Sequence, residues 1–450
     1  MIKMQQGSDS GRLKKNLGLA TATSTVVGCV IGSGVFFKPQ AIFTATGGAP
    51  GLGILAWLIT GLISIAGALT FSEIAILIPE TGGIPTYINR IYGPKLGFLA
   101  GWSQMVLFYP AMISALAVAF AQQAALFFGD VVIVPLAIFV IFFIVFLNTL
   151  GSKIGGGIQI LFTVCKMIPL ILLTVFGFWK GTGNYPVFDP MIGKGLNPTI
   201  VIGQLIVAVL FAFEGWTSVG AIAGEMKKPA RDLPIAIIGG VSIITGVYCI
   251  VNVAYLQVLP ASELATLSAP ASAVAIALFG DMGGRIVSVG IMISVFGACN
   301  GFIFSGSRVA YSLADKRSIP GSRCIARLNK NQVPSNSLIL VGTIAAILAL
   351  TGQFNLLTDL AVFSSWTFYT LTFIGVMKYR KDRPNLHRSY KVPGYPAVPL
   401  IAISGGIYII INQLFFSGMR AWLMSVFSIL LTLAGLPVYH MMRREKDKKS

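Results

Sequence analysis

The stretch Gly28-Cys29-Val30-Ile31-Gly32-Ser33-Gly34-Val35 decides how the chain must be read. It sits inside an apolar run of membrane-crossing length, yet it carries three glycines and a serine, and each helical glycine costs about 1 kcal/mol relative to alanine. The helix is expected to open there. The surrounding composition excludes an ordinary soluble domain: 55% of the 450 residues are hydrophobic and only 11% are charged, where about a quarter is usual. Runs such as Leu136 to Leu147 and Leu400 to Ile411 show no two-residue alternation, so the spans read as helices and not as barrel strands. Working outward gives twelve spans, at about 18–45, 53–78, 97–127, 131–150, 155–179, 199–226, 233–259, 283–313, 336–351, 356–377, 397–416 and 421–441. The chain reads as an all-α integral membrane protein with no sizeable soluble domain.

A second interruption, Phe211-Ala212-Phe213-Glu214-Gly215-Trp216-Thr217, places an ionisable residue and a glycine in the middle of the sixth span, five spans after the first. Interrupted spans at corresponding positions of two halves are the sequence sign of an inverted repeat with a site at the bilayer midplane. Gly28-x-x-x-Gly32 alone is equally a pattern for close helix packing; the matching second break favours a site. Opened backbone in a membrane must find partners, because each unsatisfied group costs several kcal/mol. The N–H groups of Gly32, Ser33 and Gly34 head a half-helix starting near Val35, a partly positive end suited to a carboxylate. The carbonyls of Val30, Phe211, Ala212 and Glu214 lie at negative helix ends suited to an ammonium, and Ile31 stands at the opening itself. A carboxylate and an α-ammonium together describe a zwitterionic amino acid. A small dipolar osmolyte satisfies the same pattern.

The formal charge is +18, from 33 Lys and Arg against 15 Asp and Glu. Nucleic acid is not implied, because the cations fall on alternate flanks of the spans, as the positive-inside rule requires. One side collects Lys3, Arg12, Lys14 and Lys15; Arg90 and Lys95; Lys153; Lys227, Lys228 and Arg231; the block from Arg308 to Lys330; the block from Lys378 to Lys391; and Arg443 to Lys449. The other side holds Lys180, Lys194, Arg285 and Arg420, leaving only Lys38 and Lys166 within spans. Both termini are therefore expected in the cytoplasm, at a cell membrane. The N-terminal segment lacks the apolar core of a cleaved signal. The scattered cysteines, Cys29, Cys165, Cys249, Cys299 and Cys324, imply no disulfide framework. A bacterial source fits these features.

Ile31-Gly32-Ser33-Gly34-Val35-Phe36 resembles the first-span signature of the amino acid, polyamine and organocation transporter superfamily, and Phe211-Ala212-Phe213-Glu214-Gly215-Trp216 resembles its sixth-span partner. Pro79-Glu80-Thr81-Gly82-Gly83 with Tyr87, Gly224-Glu225-Met226-Lys227-Lys228-Pro229, and Tyr390-Lys391-Val392-Pro393-Gly394-Tyr395-Pro396 look like loop motifs of its L-type amino acid transporter branch, nearest to bacterial serine/threonine and alanine-serine-cysteine exchangers. The likeness covers residues 15 to 442. It implies five plus five spans in inverted topology, broken at spans one and six, with two spans appended. On that plan the chain divides into a cytoplasmic tail (1–16), a first repeat (17–180), a second repeat (198–378), a cytoplasmic loop (379–396), two further helices (397–441) and a second tail (442–450).

The resemblance further implies sodium-independent exchange of small neutral L-amino acids (Ala, Ser, Thr, Cys), with Phe211 capping the site. It places Lys166 of span five where sodium-coupled relatives bind a cation, so that its ammonium replaces the ion as a coupling group. Relatives with a heavy subunit attach it through a cysteine after span three; Phe127-Phe128-Gly129-Asp130 has none, so no disulfide-linked subunit is expected.

From the residues alone, Lys166 lies too deep to snorkel, and its simpler role is an interhelix hydrogen bond. Glu214 offers both a carbonyl and a carboxylate, the simpler reading of the latter being a side chain turned into an aqueous cavity without substrate contact. Glu73 reads as a buttress, and Lys38 as a snorkelling interfacial residue. Gly297, Cys299, Asn300, Trp216 and Trp366 read as packing before pocket. The run Tyr379 to Lys391 reads as a solvated loop with membrane-lipid contact second. No catalytic group, metal-ligand set or cofactor motif is present: His387 and His440 lie at flanks, far from Ser33, and G-x-x-x-x-G-K-[ST] is absent. Enzyme and ATP-driven pump are set aside. Proton-coupled uptake stays open, and a channel is the weaker alternative because pores usually build selectivity rings by oligomerising.

Overall fold

The computed structural model describes residues 15–128, 133–183 and 185–447. The two tails and the loop at Gly129 and Asp130 therefore lie wholly or partly outside the described residues. Among those residues the chain is helical, and its one β-type pairing is an isolated bridge between Leu17 and Met226. The first span is divided into α1 (Leu19–Val30) and α2 (Gly34–Ala45), and α3 (Gly51–Leu77) follows. A short α4 (Ile84–Tyr92) leads to α5 (Pro94–Ser103), which runs through a π turn at Gln104–Phe108 into α6 (Tyr109–Phe128). Then come α7 (Ile133–Thr149) and α8 (Ser152–Lys180).

The sixth span is again divided, into α9 (Pro198–Ala212) and α10 (Ser218–Ala221). The small α11 (Pro229–Pro234) passes through a second π turn, Ile235–Gly239, into α12 (Gly240–Val258), followed by α13 (Ala261–Leu264). The long α14 (Pro270–Asp315) is two helices meeting at Gly280, whose φ of 72° breaks the helical path; the expected span at 283–313 is the second of them. The chain ends with α15 (Ser322–Ile325), α16 (Ser335–Ala349), α17 (Phe354–Asp382), α18 (Ala397–Phe415), α19 (Gly418–Leu433) and α20 (Gly435–Asp447).

Nine helices among the described residues are long and apolar enough to cross a membrane, and Ile133–Thr149, Pro198–Ala212 and Ser335–Ala349 are shorter apolar helices. Pro198–Ala212 is short because the sixth span breaks after it. Burial separates the bundle into a centre and a rim. The apolar window of Pro94–Ala125 is 89% covered by protein and that of Gly418–Arg444 only 17%, so α5–α6 is a central wall whereas α19–α20 presents its apolar surface outward, as a lipid-facing helix must.

Two buried charge clusters fasten the basic side. Arg308 of α14 and Glu225 are both fully buried and paired at 2.7 Å, with the guanidinium 4.0 Å above the Phe304 ring. Arg308, counted from sequence as a flank cation, is thus an interior residue. Beside it, Leu17 N–H donates to the Glu225 carbonyl (3.0 Å) and Lys227 N–H to the Leu17 carbonyl (2.9 Å), which binds the chain before α1 to the loop after α10. Glu73 of α3 buttresses a second cluster: it bonds Arg380, lies 3.3 Å from Arg388, and accepts the Val392 N–H at 2.9 Å. The basic run 379–391 is therefore not solvated throughout, since the Arg388 side chain is buried.

Candidate functional site

The two breaks touch. Ile31, at ψ 86°, leaves the helical path after α1, and α2 restarts at Gly34. A side-chain carbon on Gly34 would lie 2.5 Å from the Ala212 Cα, and one on Gly215 would lie 2.7 Å from the Cys29 Cβ. Gly215 also has a φ of 113°, where L side chains are strained. Glycine at these positions lets the start of α2 meet the end of α9, and the turn Phe213–Thr217 meet the end of α1. All eight expected site residues, Val30, Ile31, Gly32, Ser33, Gly34, Phe211, Ala212 and Glu214, are buried at this junction.

At the first break the Gly32 N–H turns back onto the Val30 carbonyl (2.8 Å) and no longer reaches that of Gly28. Lys166 of α8, fully buried, supplies the missing donor: its Nζ lies 2.7 Å from the Gly28 carbonyl and 2.5 Å from that of Ile31. Ser294 of α14 lies 3.4 Å from the same Ile31 oxygen. A charged donor is the strongest partner available to orphaned carbonyls. The Tyr248 hydroxyl of α12 stands 2.9 Å from the Val30 carbonyl and 3.1 Å from that of Ala212. One hydroxyl proton therefore serves the C-terminal ends of both α1 and α9.

The expectation of free groups is met unevenly. Gly32 N–H is engaged internally, and the Phe211 carbonyl accepts the Glu214 N–H at 3.1 Å. Among the described residues the Ser33 and Gly34 N–H groups make no hydrogen bond, and the buried Ser33 Oγ has no partner. These groups head the twelve-residue α2, where the helix dipole favours negative charge.

The Glu214 carboxylate does not face an open cavity. Its Oε1 lies 2.8 Å from Ser365 Oγ, and its Oε2 accepts from the Tyr369 hydroxyl at 3.1 Å; Thr217 donates to Tyr369 at 2.9 Å. The second break is thus tied to α17. Phe211 stands edge-on to Phe354 at 5.5 Å, and the Lys38 ammonium lies 4.7 Å from the Phe211 ring centroid. Lys38 does not snorkel: it is only 7% exposed and is held over the aromatic pair as a cation–π partner.

Other residues fall into packing roles. Asn300 accepts from Asn148 and donates to Gln159, both at 2.8 Å, and Gln159 donates to the Ser24 carbonyl. Gly297 lies against Phe162, and Cys299 against the Ile113 carbonyl. Trp216 and Trp366 are buried against Tyr369. Sequence reasoning missed Tyr248, Ser365 and Tyr369, whose only signal is a hydroxyl in an otherwise apolar span. Among the described residues no His, Cys, Asp and Glu side chains gather as metal ligands. Geometry of this kind offers fixed dipoles of both signs a few ångströms apart, which is binding chemistry.

Comparison with known proteins agrees with that chemistry. The chain is 37% identical over 445 residues to the serine/threonine exchanger SteT of Bacillus subtilis (strain 168), covering 97% of this chain and 99% of that one. It is 29% identical to the human b(0,+)-type amino acid transporter 1 (95% of this chain, 88% of the relative) and 27% identical to the mouse Asc-type amino acid transporter 1 (96% and 82%). These relatives are transporters, and the chain is accordingly not an enzyme. Residues 17–439 match the model of one family along nearly their whole length. The chain belongs to the amino acid permease family.

Proposed function

We propose that the chain exchanges small neutral L-amino acids, alanine, serine, threonine and cysteine, by alternating access and without sodium. The observation that carries this reading is the junction itself. The unpaired N–H groups of Ser33 and Gly34 and the carbonyl ends of α1 and α9 lie together, complementary to a carboxylate and an α-ammonium on one small molecule. Ile31 and Gly32 shape the opening, the Val30, Ala212 and Glu214 carbonyls take the ammonium, and Phe211 covers the substrate. Lys166 stands in for a coupling cation and ties α8 to α1. No cofactor or metal takes part.

On this reading the nine long and three short apolar helices are twelve spans, arranged as inverted repeats 17–180 and 198–378 plus the pair in 397–441. The loop 379–396 and both termini lie in the cytoplasm of a bacterial cell, and the partners are substrate and membrane lipid, without nucleic acid or a disulfide-linked subunit. The substrate class is supported by the serine/threonine and Asc-type relatives. One observation favours a second reading, proton-coupled uptake: Glu214 is a buried carboxylate wired to two hydroxyls beside the site.

Proteoliposomes separate the two. Labelled serine should enter only vesicles preloaded with amino acid, equally in sodium and choline buffers. Uptake into empty vesicles that follows an imposed proton gradient would replace exchange by the second reading.

A further inference from the structure

A cavity of about 410 Å³ opens on the basic side, between the α4–α5 elbow, the end of α14 and α20. Among the described residues three cations line it, Lys316 and Arg317 after α14 and Arg443 on α20, and no carboxylate does. Its other walls include Phe98, Leu313 and Met442, with Ser312 and Ser318, whose hydroxyls donate to the Thr81 and Lys316 carbonyls. Among the described residues neither Arg317 nor Arg443 forms an ion pair, and the nearby Glu80 is held by Arg90 at 2.7 Å. Cations after a helix are commonly there to meet its negative end. That accounts for Lys316 and Arg317 and not for Arg443, which arrives from a helix more than a hundred residues later. Arg317 moreover takes a φ of 50° just past α14, a position that glycine fills most cheaply.

The cavity joins a charged end to an apolar wall, and α20, which forms one side, belongs to the least covered segment of the bundle. We propose that this cavity binds the phosphate headgroup of an anionic phospholipid, with Arg317 and Arg443 on the phosphate, Lys316 beside them, and the glycerol and upper acyl chain against Phe98, Leu313 and Met442. Arginine suits phosphate because its planar fork donates two parallel hydrogen bonds, and basic pockets between helices on the cytoplasmic side recognise anionic headgroups. Bound there, the lipid clamps α20 to the α4–α5 elbow, where Phe98 and Tyr439 already meet at 5.5 Å.

The test is native mass spectrometry of the full chain, offered equal phosphatidylglycerol and phosphatidylcholine, with thermal unfolding in the same detergent. Wild type should retain phosphatidylglycerol preferentially and be stabilised by it. Each arginine removed should reduce the preference by about fivefold, from roughly one headgroup attraction per cation. Arg317→Gln with Arg443→Gln should therefore abolish the preference, Arg317→Lys with Arg443→Lys should keep most of it, and Lys95→Gln with Arg383→Gln, outside the cavity, should leave it intact. Equal retention of the two lipids by wild type would overturn the proposal without recourse to any variant. Undiminished preference in a folded double glutamine variant would overturn it as well. Stabilisation by soluble glycerol phosphate matching that by phosphatidylglycerol would overturn the lipid as source and assign the cavity to a free phosphate compound.

Discussion

At the break after Val30 the exposed groups are carbonyls, and the side chain that reaches them is a buried ammonium from α8. At the break after Ala212 the outstanding group is the Glu214 carboxylate, and the side chains that reach it are hydroxyls from α17. Opening a helix inside a membrane creates the same debt in both places, a set of polar groups with no water to answer them. The first is met by an amine donor on backbone carbonyls, the second by hydroxyl donors around a carboxyl group. Among the described residues Tyr248 alone serves both, through one proton shared between Val30 and Ala212. The first break rests on one lysine, with Tyr248 and Ser294 beside it, and the second on hydroxyls alone, and their sensitivity to mutation should differ accordingly.

The largest expected effect is at Lys166. Each bond from a charged donor is worth about 1.5–3 kcal/mol, so Lys166→Ala should lower exchange per folded molecule by about ten- to a hundredfold. On the proposed alternating access the bonds tie α8 to one half of a moving span, so substrate affinity should change unequally on the two faces, which oriented vesicles measure. Unchanged flux per folded molecule would reduce Lys166 to a packing residue.

A smaller effect is expected at Glu214. Glu214→Ala leaves the buried Tyr369 hydroxyl without its acceptor, while Ser365 keeps the Val362 carbonyl at 3.0 Å; the cost is about 1–3 kcal/mol in stability, read as a lower unfolding temperature. Glu214→Gln retains an acceptor and should recover most of it. If Glu214→Gln abolished a pH-dependent uptake while restoring stability, the carboxylate would be carrying protons. Smallest is Tyr248→Phe, which removes one neutral bond worth about 0.5–1.5 kcal/mol. Serine affinity should weaken by less than about tenfold, whereas a larger loss would show that the shared proton governs the closeness of the two breaks.

What was legible in the sequence follows the range over which each cause acts. Helix opening is local, so the glycines around Ser33 and the Glu214-Gly215 pair announced both breaks. A lysine in mid-span is conspicuous by itself, and the carbonyls nearest an opened helix were its natural partners. Tyr248, Ser365 and Tyr369 were not legible, because a hydroxyl in an apolar helix reveals nothing of its neighbour, and Val30 lies 218 residues from Tyr248. Lys38 was misread for the same reason. Its distance from the helix end suggested snorkelling, but its place was decided by Phe211 and Phe354, from two other spans. Gly32 shows a subtler limit: a glycine frees a helical N–H, yet the same freedom let that N–H fold back onto Val30.

The claim at the centre of this account is that the two breaks together recognise one zwitterion, the carboxylate at α2 and the ammonium at the ends of α1 and α9. Competition against labelled L-serine by its two half-blocked derivatives tests this most directly. L-serine methyl ester has lost the carboxylate and N-acetyl-L-serine the ammonium, and losing one charged hydrogen-bonding group from a fitted site costs about tenfold or more. Unmodified L-serine and L-alanine should compete fully and both derivatives should fail, each through a different break. Inhibition by either derivative as strong as that by L-serine would show that the corresponding break does not bind substrate.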